Sequence, residues 1–110
     1  NAAGDAAICL RFPLAELPCF TLWKNTAAEA DGYVTGLEPG TNFPNLRSFE
    51  RTQGRLQTLA PGATRRMSFE VAIHVGQAQV QKIVGEIQDL QRTTTVALSR
   101  MPLREYSPAG

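Results

Sequence analysis

Arg66-Met67-Ser68-Phe69-Glu70-Val71-Ala72-Ile73-His74-Val75-Gly76 is the stretch on which the fold class turns. Across residues 63–75 the side chains alternate, with Met67, Phe69, Val71, Ile73 and Val75 on one face and Arg66, Ser68, Glu70, Ala72 and His74 on the other. A period of two belongs to a β-strand, so the pattern predicts a strand with its apolar face buried. At Gln77 the period changes. Val80, Ile83, Val84, Ile87 and Leu90 recur at helical spacing opposite a glutamine-rich side, which predicts an amphipathic helix over residues 77–91 packing one stripe. Lys82 and Glu86 stand four apart, a spacing that adds roughly a few tenths of a kcal/mol to a helix, and Gly85 costs somewhat more relative to alanine.

Upstream of this stretch the chain reads as short strands. Residues 7–12, between Gly4 and Pro13, form an apolar-rich candidate. Residues 17–24 form a second, with Phe20, Leu22 and Lys24 on one face, Cys19, Thr21 and Trp23 on the other, and Pro18 at its start. After a polar loop over 25–31, residues 32–38 carry the β-branched and aromatic side chains of a third strand, stopped by Pro39-Gly40. Glu38 thus falls at a strand end, where a side chain is held by the sheet yet faces an opening. Residues 40–54 read as an ordered loop, 56–59 as a short strand and Pro61-Gly62 as a turn. Downstream of the helix, residues 93–99 suit a last strand or an extended arm, followed by a polar tail containing proline.

Composition bounds the function classes. The 110 residues are 43% hydrophobic and 19% charged, which describes one ordinary globular domain rather than a disordered chain. Eleven basic residues stand against ten acidic ones, for a net charge of +1, and they are scattered; a nucleic-acid platform would concentrate them. No window approaches the roughly 18 apolar residues that span a bilayer, and the N-terminal residues lack the pattern of a signal peptide. Neither Cys9 nor Cys19 belongs to a Cys-x-x-Cys or Cys/His set; a disulfide between them is the alternative to the favoured expectation, two buried free thiols of a cytosolic protein. The chain starts at Asn1 without methionine, as a processed or excised segment would. No metal-ligand spacing, phosphate-cradling glycine loop or nucleotide fingerprint occurs, so no cofactor is expected.

Phe20-Thr21-Leu22-Trp23-Lys24-Asn25, then Tyr33-Val34-Thr35-Gly36-Leu37-Glu38-Pro39-Gly40-Thr41-Asn42, then Leu59-Ala60-Pro61-Gly62 before a long alternating strand, together resemble the closing part of aldose 1-epimerases. The resemblance covers about residues 7–76 and is nearest to an uncharacterised bacterial epimerase-like branch. It implies a mainly β fold, part of a large antiparallel galactose mutarotase-like β-sandwich that binds a monosaccharide across one concave sheet, here with one amphipathic helix near the C-terminus. On this reading the chain is one C-terminal segment, with strands over 7–75, a helix over 77–91 and a tail over 92–110, and its partners are a monosaccharide or modified sugar and the remainder of the parent chain. The resemblance also makes Glu38 the general base that removes the anomeric hydroxyl proton.

Mutarotation opens a cyclic hemiacetal, so one base and one acid must flank the sugar. The resemblance places histidine acids on upstream strands; the one histidine here, His74, does not match that position and reads as a sheet-surface or core-edge residue. Trp23 is either core packing or an aromatic platform for the apolar side of a pyranose. Lys24, Asn42 and Arg47 are candidate hydrogen-bonding partners of sugar hydroxyls. Arg47, Glu50, Arg51 and Arg55 form either a solvated charged face or the place where an anionic substituent on the sugar binds. Two function classes follow: an isomerase using Glu38, or a non-catalytic carbohydrate-binding or regulatory module on the same fold. Unpaired strand edges would also permit association of copies.

Overall fold

The computed structural model describes residues 1–108; the final two positions of the expected tail lie outside the described residues. Four six-residue strands, β1 (Ala6–Arg11), β2 (Cys19–Lys24), β3 (Thr35–Gly40) and β4 (Glu70–Val75), accompany two helices, α1 (Arg47–Thr52) and α2 (Gln77–Gln91), and a 3-10 turn at Glu29–Asp31. The fold is therefore mixed α/β with modest sheet content, not the mainly β chain expected. β1 pairs with β4 and β2 with β3, both antiparallel, giving two sheets of two strands each. Two compact units result: Asn1–Arg11 with Phe69–Arg100, and Phe12–Ser68 with the segment that begins at Met101.

In the first unit, β1 and β4 meet in register from Ala6 opposite Val75 to Arg11 opposite Glu70. The alternation that starts upstream of Phe69 enters the ladder only at Glu70, whose partner Arg11 is the last residue of β1. Gly76 then turns the chain into α2 at φ 93°, a value that side chains with a Cβ rarely adopt. Its N–H donates to the Asp5 carbonyl at 2.7 Å, and its own carbonyl accepts from the Val80 N–H at 3.1 Å. One glycine therefore ends the strand and starts the helix. The helix spans the 15 residues expected from its periodicity.

The face of β4 expected to be buried is the open one. α2 packs on β1 and β4 over Cys9, Ala7, Ala72 and His74, which are buried or half-buried. Ile73 is 73% exposed and its cross-strand partner Ile8 is 64% exposed. The reason is steric: Ala7, Cys9 and Ala72 are small enough for a helix to approach, whereas Ile8, Leu10, Val71, Ile73 and Val75 are collected on the opposite side. The helix stripe is narrower than its sequence suggests, with Ile83 buried and Leu90 exposed. Glu86 bonds Arg11 at 3.0 Å, and Arg11 also bonds Glu70 at 2.9 Å, so the pair expected between Lys82 and Glu86 gives way to one tying helix to strand. Such exposed pairs are screened by water and contribute little to stability. His74 Nε2 is buried with no hydrogen-bond partner among the described residues.

In the second unit β2 and β3 pair from Cys19 opposite Gly40 to Lys24 opposite Thr35. β3 runs through Pro39 instead of stopping there, since each strand of a two-stranded sheet is an edge and one edge needs no N–H at that position. The loop expected over 40–54 contains α1. No strand forms over 56–59 or 93–99. Both cysteines are free and buried, and among the described residues no helix is long and apolar enough to cross a membrane.

Truncating Ile83 (4% exposed) should cost about 2–3 kcal/mol in urea unfolding of the chain, and truncating Ile73 under about 1 kcal/mol. The reverse order would mean that the helix covers the other face of the sheet.

Candidate functional site

The register of β2 and β3 sets Thr21 opposite Glu38 and Trp23 opposite Gly36, so these side chains share one face of the sheet. Glu38 turns back along its own strand: Oε1 lies 2.6 Å from the point that a Cβ on Gly36 would occupy, and the Trp23 Cβ lies 3.3 Å from that point. Only a residue without a side chain leaves the carboxylate this space. Trp23 is 50% exposed and Glu38 is exposed as well. A half-covered aromatic ring and a carboxylate thus stand beside each other over a glycine. Chemically, this pairs an apolar surface with a strong hydrogen-bond acceptor that is also a potential proton acceptor.

The other expected site residues are not gathered here. Lys24 lies on the opposite face of the same sheet, with Phe20, Leu22, Leu37 and Thr35. Asn42 is occupied by its own turn: Nδ2 donates to the Phe43 carbonyl at 2.8 Å, and Oδ1 accepts from the Thr41 hydroxyl at 3.3 Å. Arg47 begins α1 and lines a separate cleft with Arg51. Among the described residues, no group of three or more His, Cys, Asp or Glu side chains could hold a metal ion.

The expectation for residues 47–55 as one charged face is corrected. Glu50 is fully buried. Arg55 grips it with two parallel bonds, Nε to Oε2 at 2.6 Å and Nη2 to Oε1 at 2.8 Å. Asn45 Nδ2 donates to Oε1 at 2.7 Å and the Phe43 N–H to Oε2 at 3.3 Å, so each carboxylate oxygen accepts two bonds. Arg55 Nη1 donates to the Glu105 carbonyl at 2.6 Å, and its guanidinium lies over the rings of Phe43 and Phe49. Asn45 also reaches the Tyr106 carbonyl at 3.0 Å, while the Tyr106 ring meets Phe43 edge-on at 5.4 Å. The Arg55 guanidinium, aided by Asn45 and the Phe43 N–H, holds the Glu50 carboxyl down at about 2 despite burial, which acts in the opposite direction. Burial pushes the Cys19 thiol up, Arg55 opposing and Glu50 adding to that effect.

Sequence reasoning overlooked this cluster as a unit. The five-residue spacing of Glu50 and Arg55, with Phe43 and Phe49 close by, was the available signal, but four charged residues among nine read as a solvated surface.

Residues 1–73 match the family described as Domain of unknown function (DUF4432). The chain belongs to that family. The matched span takes in β1, β2, β3, α1 and the first part of β4, and with them Trp23, Gly36, Glu38 and the Glu50–Arg55 pair; α2 lies beyond it. Comparison with curated proteins and with solved structures returns no match.

Two outcomes follow from this geometry. Because the Glu50 carboxyl is held below its ordinary value of 4.5, its stabilising contribution is full above that value, declines as pH falls below it, and is gone once pH passes below about 2. Glu50→Gln should destabilise the second unit by about 3 kcal/mol at pH 7, and the gap from wild type in chemical unfolding should close between about pH 4.5 and pH 2. A gap that is constant with pH would contradict the ion-pair account. Gly36→Ala should displace the Glu38 carboxylate while changing stability by under about 1 kcal/mol, since the closest atom is the far end of a flexible side chain and the Trp23 Cβ at 3.3 Å need give only slightly. Displaced NMR chemical shifts of the Glu38 side-chain methylenes with a nearly unchanged unfolding midpoint are the expected pair of observations.

Proposed function

We propose that this chain is part of an aldose 1-epimerase-like, carbohydrate-binding protein, and that the β2/β3 face carrying Trp23 and Glu38 lies against a monosaccharide. The single observation that carries this reading is the juxtaposition of the half-exposed Trp23 with the Glu38 carboxylate over Gly36. An indole offers the apolar flank of a pyranose a surface that excludes water, and a carboxylate accepts hydrogen bonds from the hydroxyls at its rim.

In the reaction proposed, a Glu38 oxygen takes the proton of the anomeric hydroxyl as the bond from C1 to the ring oxygen breaks. The ring oxygen takes up a proton from a general acid belonging to the rest of the site. The open-chain aldehyde rotates about the bond from C1 to C2 and recloses with the opposite configuration, each proton transfer reversing. Glu38 is recovered unchanged, as a catalyst must be.

The larger context proposed is a galactose mutarotase-like sandwich in a cytoplasmic protein. Two-stranded sheets are marginal by themselves. The open apolar face of β1 and β4, with Ile8 and Ile73 exposed, is what a strand pair looks like when a further layer is to be laid on it. A second reading, a non-catalytic carbohydrate-binding module, is favoured by one observation: the only histidine, His74, sits in β4, in the unit that does not carry Glu38.

Glu38→Gln in the complete protein separates the two readings. As loss of a general base, it should lower anomer interconversion at least about a hundredfold, read by NMR exchange over a panel of aldoses, with sugar affinity largely retained. Unchanged exchange rates would remove Glu38 from the chemistry. Binding without any interconversion in the wild type would favour the module.

A further inference from the structure

Arginine recurs at every fourth position through Arg47, Arg51 and Arg55, and the three meet different fates. Arg55 is neutralised by Glu50 and held over the rings of Phe43 and Phe49. The side chains of Arg47 and Arg51 make no ion pair or hydrogen bond among the described residues, although the Arg51 carbonyl accepts from the Gly54 N–H at 3.0 Å. Both are exposed and one turn apart on α1, a spacing at which like charges repel. The carboxylate nearest to them in sequence, Glu50, is already saturated by Arg55, Asn45 and the Phe43 N–H.

Arg47 and Arg51 line one cleft of about 530 Å³, together with Gly54 and the segment 56–59. That volume is in the range of small-ligand sites. Gln57 and Thr58 add polar side chains to the lining, and the backbone N–H groups of residues 56–59 have no backbone acceptor among the described residues. Two planar guanidinium forks with neighbouring free N–H donors form a donor-only set, which suits a tetrahedral oxyanion.

We infer that the cleft between Arg47, Arg51 and the segment 56–59 binds the oxyanion group of a small ligand, a phosphate, sulfate or sulfonate. The group is either free or carried on a larger molecule such as a phosphorylated sugar. The inference does not rest on the role given to Glu38.

The test is a ¹⁵N NMR titration of the chain with inorganic phosphate, with a hexose 6-phosphate and with sodium chloride at matched ionic strength. The two phosphates should give saturable shifts in the side-chain Nε–H signals of Arg47 and Arg51 and in the amides of residues 56–59, and sodium chloride should not. Tighter binding of the hexose phosphate identifies a phosphorylated sugar as the source, and equal binding identifies the free oxyanion. Replacing both Arg47 and Arg51 by Gln should weaken phosphate binding at least tenfold with the unfolding midpoint unchanged. Replacing both by Lys keeps the charge but loses the forked donors, and should fall between. Shifts reproduced by sodium chloride, absence of saturation, or wild-type affinity in the double Gln variant would overturn the inference.

Discussion

The second unit depends on one buried ion pair. Glu50 has no contact with water, and it is ionised there only because Arg55, Asn45 and the Phe43 N–H together fill the acceptor positions of both its oxygens. A buried charge with fewer partners would unfold its surroundings or take up a proton. The constraint runs outward. Arg55 must stay over Phe43 and Phe49, Asn45 must hold the Tyr106 carbonyl, and the segment from Met101 is thereby tied to α1. The apolar side chains buried in this unit are few, Leu17 and Cys19 among the described residues, so polar bonding carries a share of cohesion that apolar packing supplies in larger cores.

Fixing the unit through α1 and its flanking segments leaves the sheet free for other work. Cys19, at the start of β2, is buried close enough to the ion pair to feel both charges, and the same strand then carries Thr21 and Trp23 outward along the same face. One end of that face is anchored and the other is open. A side chain on a strand is placed more firmly than one on a loop, and Gly36 opposite Trp23 removes the one obstacle to the Glu38 carboxylate lying beside it. Arg47 and Arg51, on the same short helix as Glu50, are left unpaired because Arg55 takes the only carboxylate within α1.

What the sequence made legible follows from the range of the interactions involved. Helix 77–91 was readable to the residue because its period is a local feature. The two faces of β2 were equally plain, and with the register they place Trp23 and Glu38 side by side. Alternation marks two faces of a strand without saying which the helix will cover; here the small residues Ala7, Cys9 and Ala72 decided it, and the bulky face stayed open. α1 escaped notice because its six residues are too few to display a period and are flanked by Asn42, Pro44, Asn45 and Gly54. Glu50 looked like surface because charge in a short window does not reveal whether a partner closes over it. Pro39 read as a stop, which holds for a central strand and not for an edge.

Intermolecular nuclear Overhauser effects between the protein and a bound monosaccharide test most directly the proposed seat of a sugar on the Trp23 and Glu38 face of β2/β3. The account predicts contacts from the indole protons of Trp23 to the C–H protons on one side of the pyranose ring, with the anomeric proton close to the Glu38 side-chain methylenes. Contacts confined to the opposite face, around Lys24, Leu22 and Leu37, would contradict it.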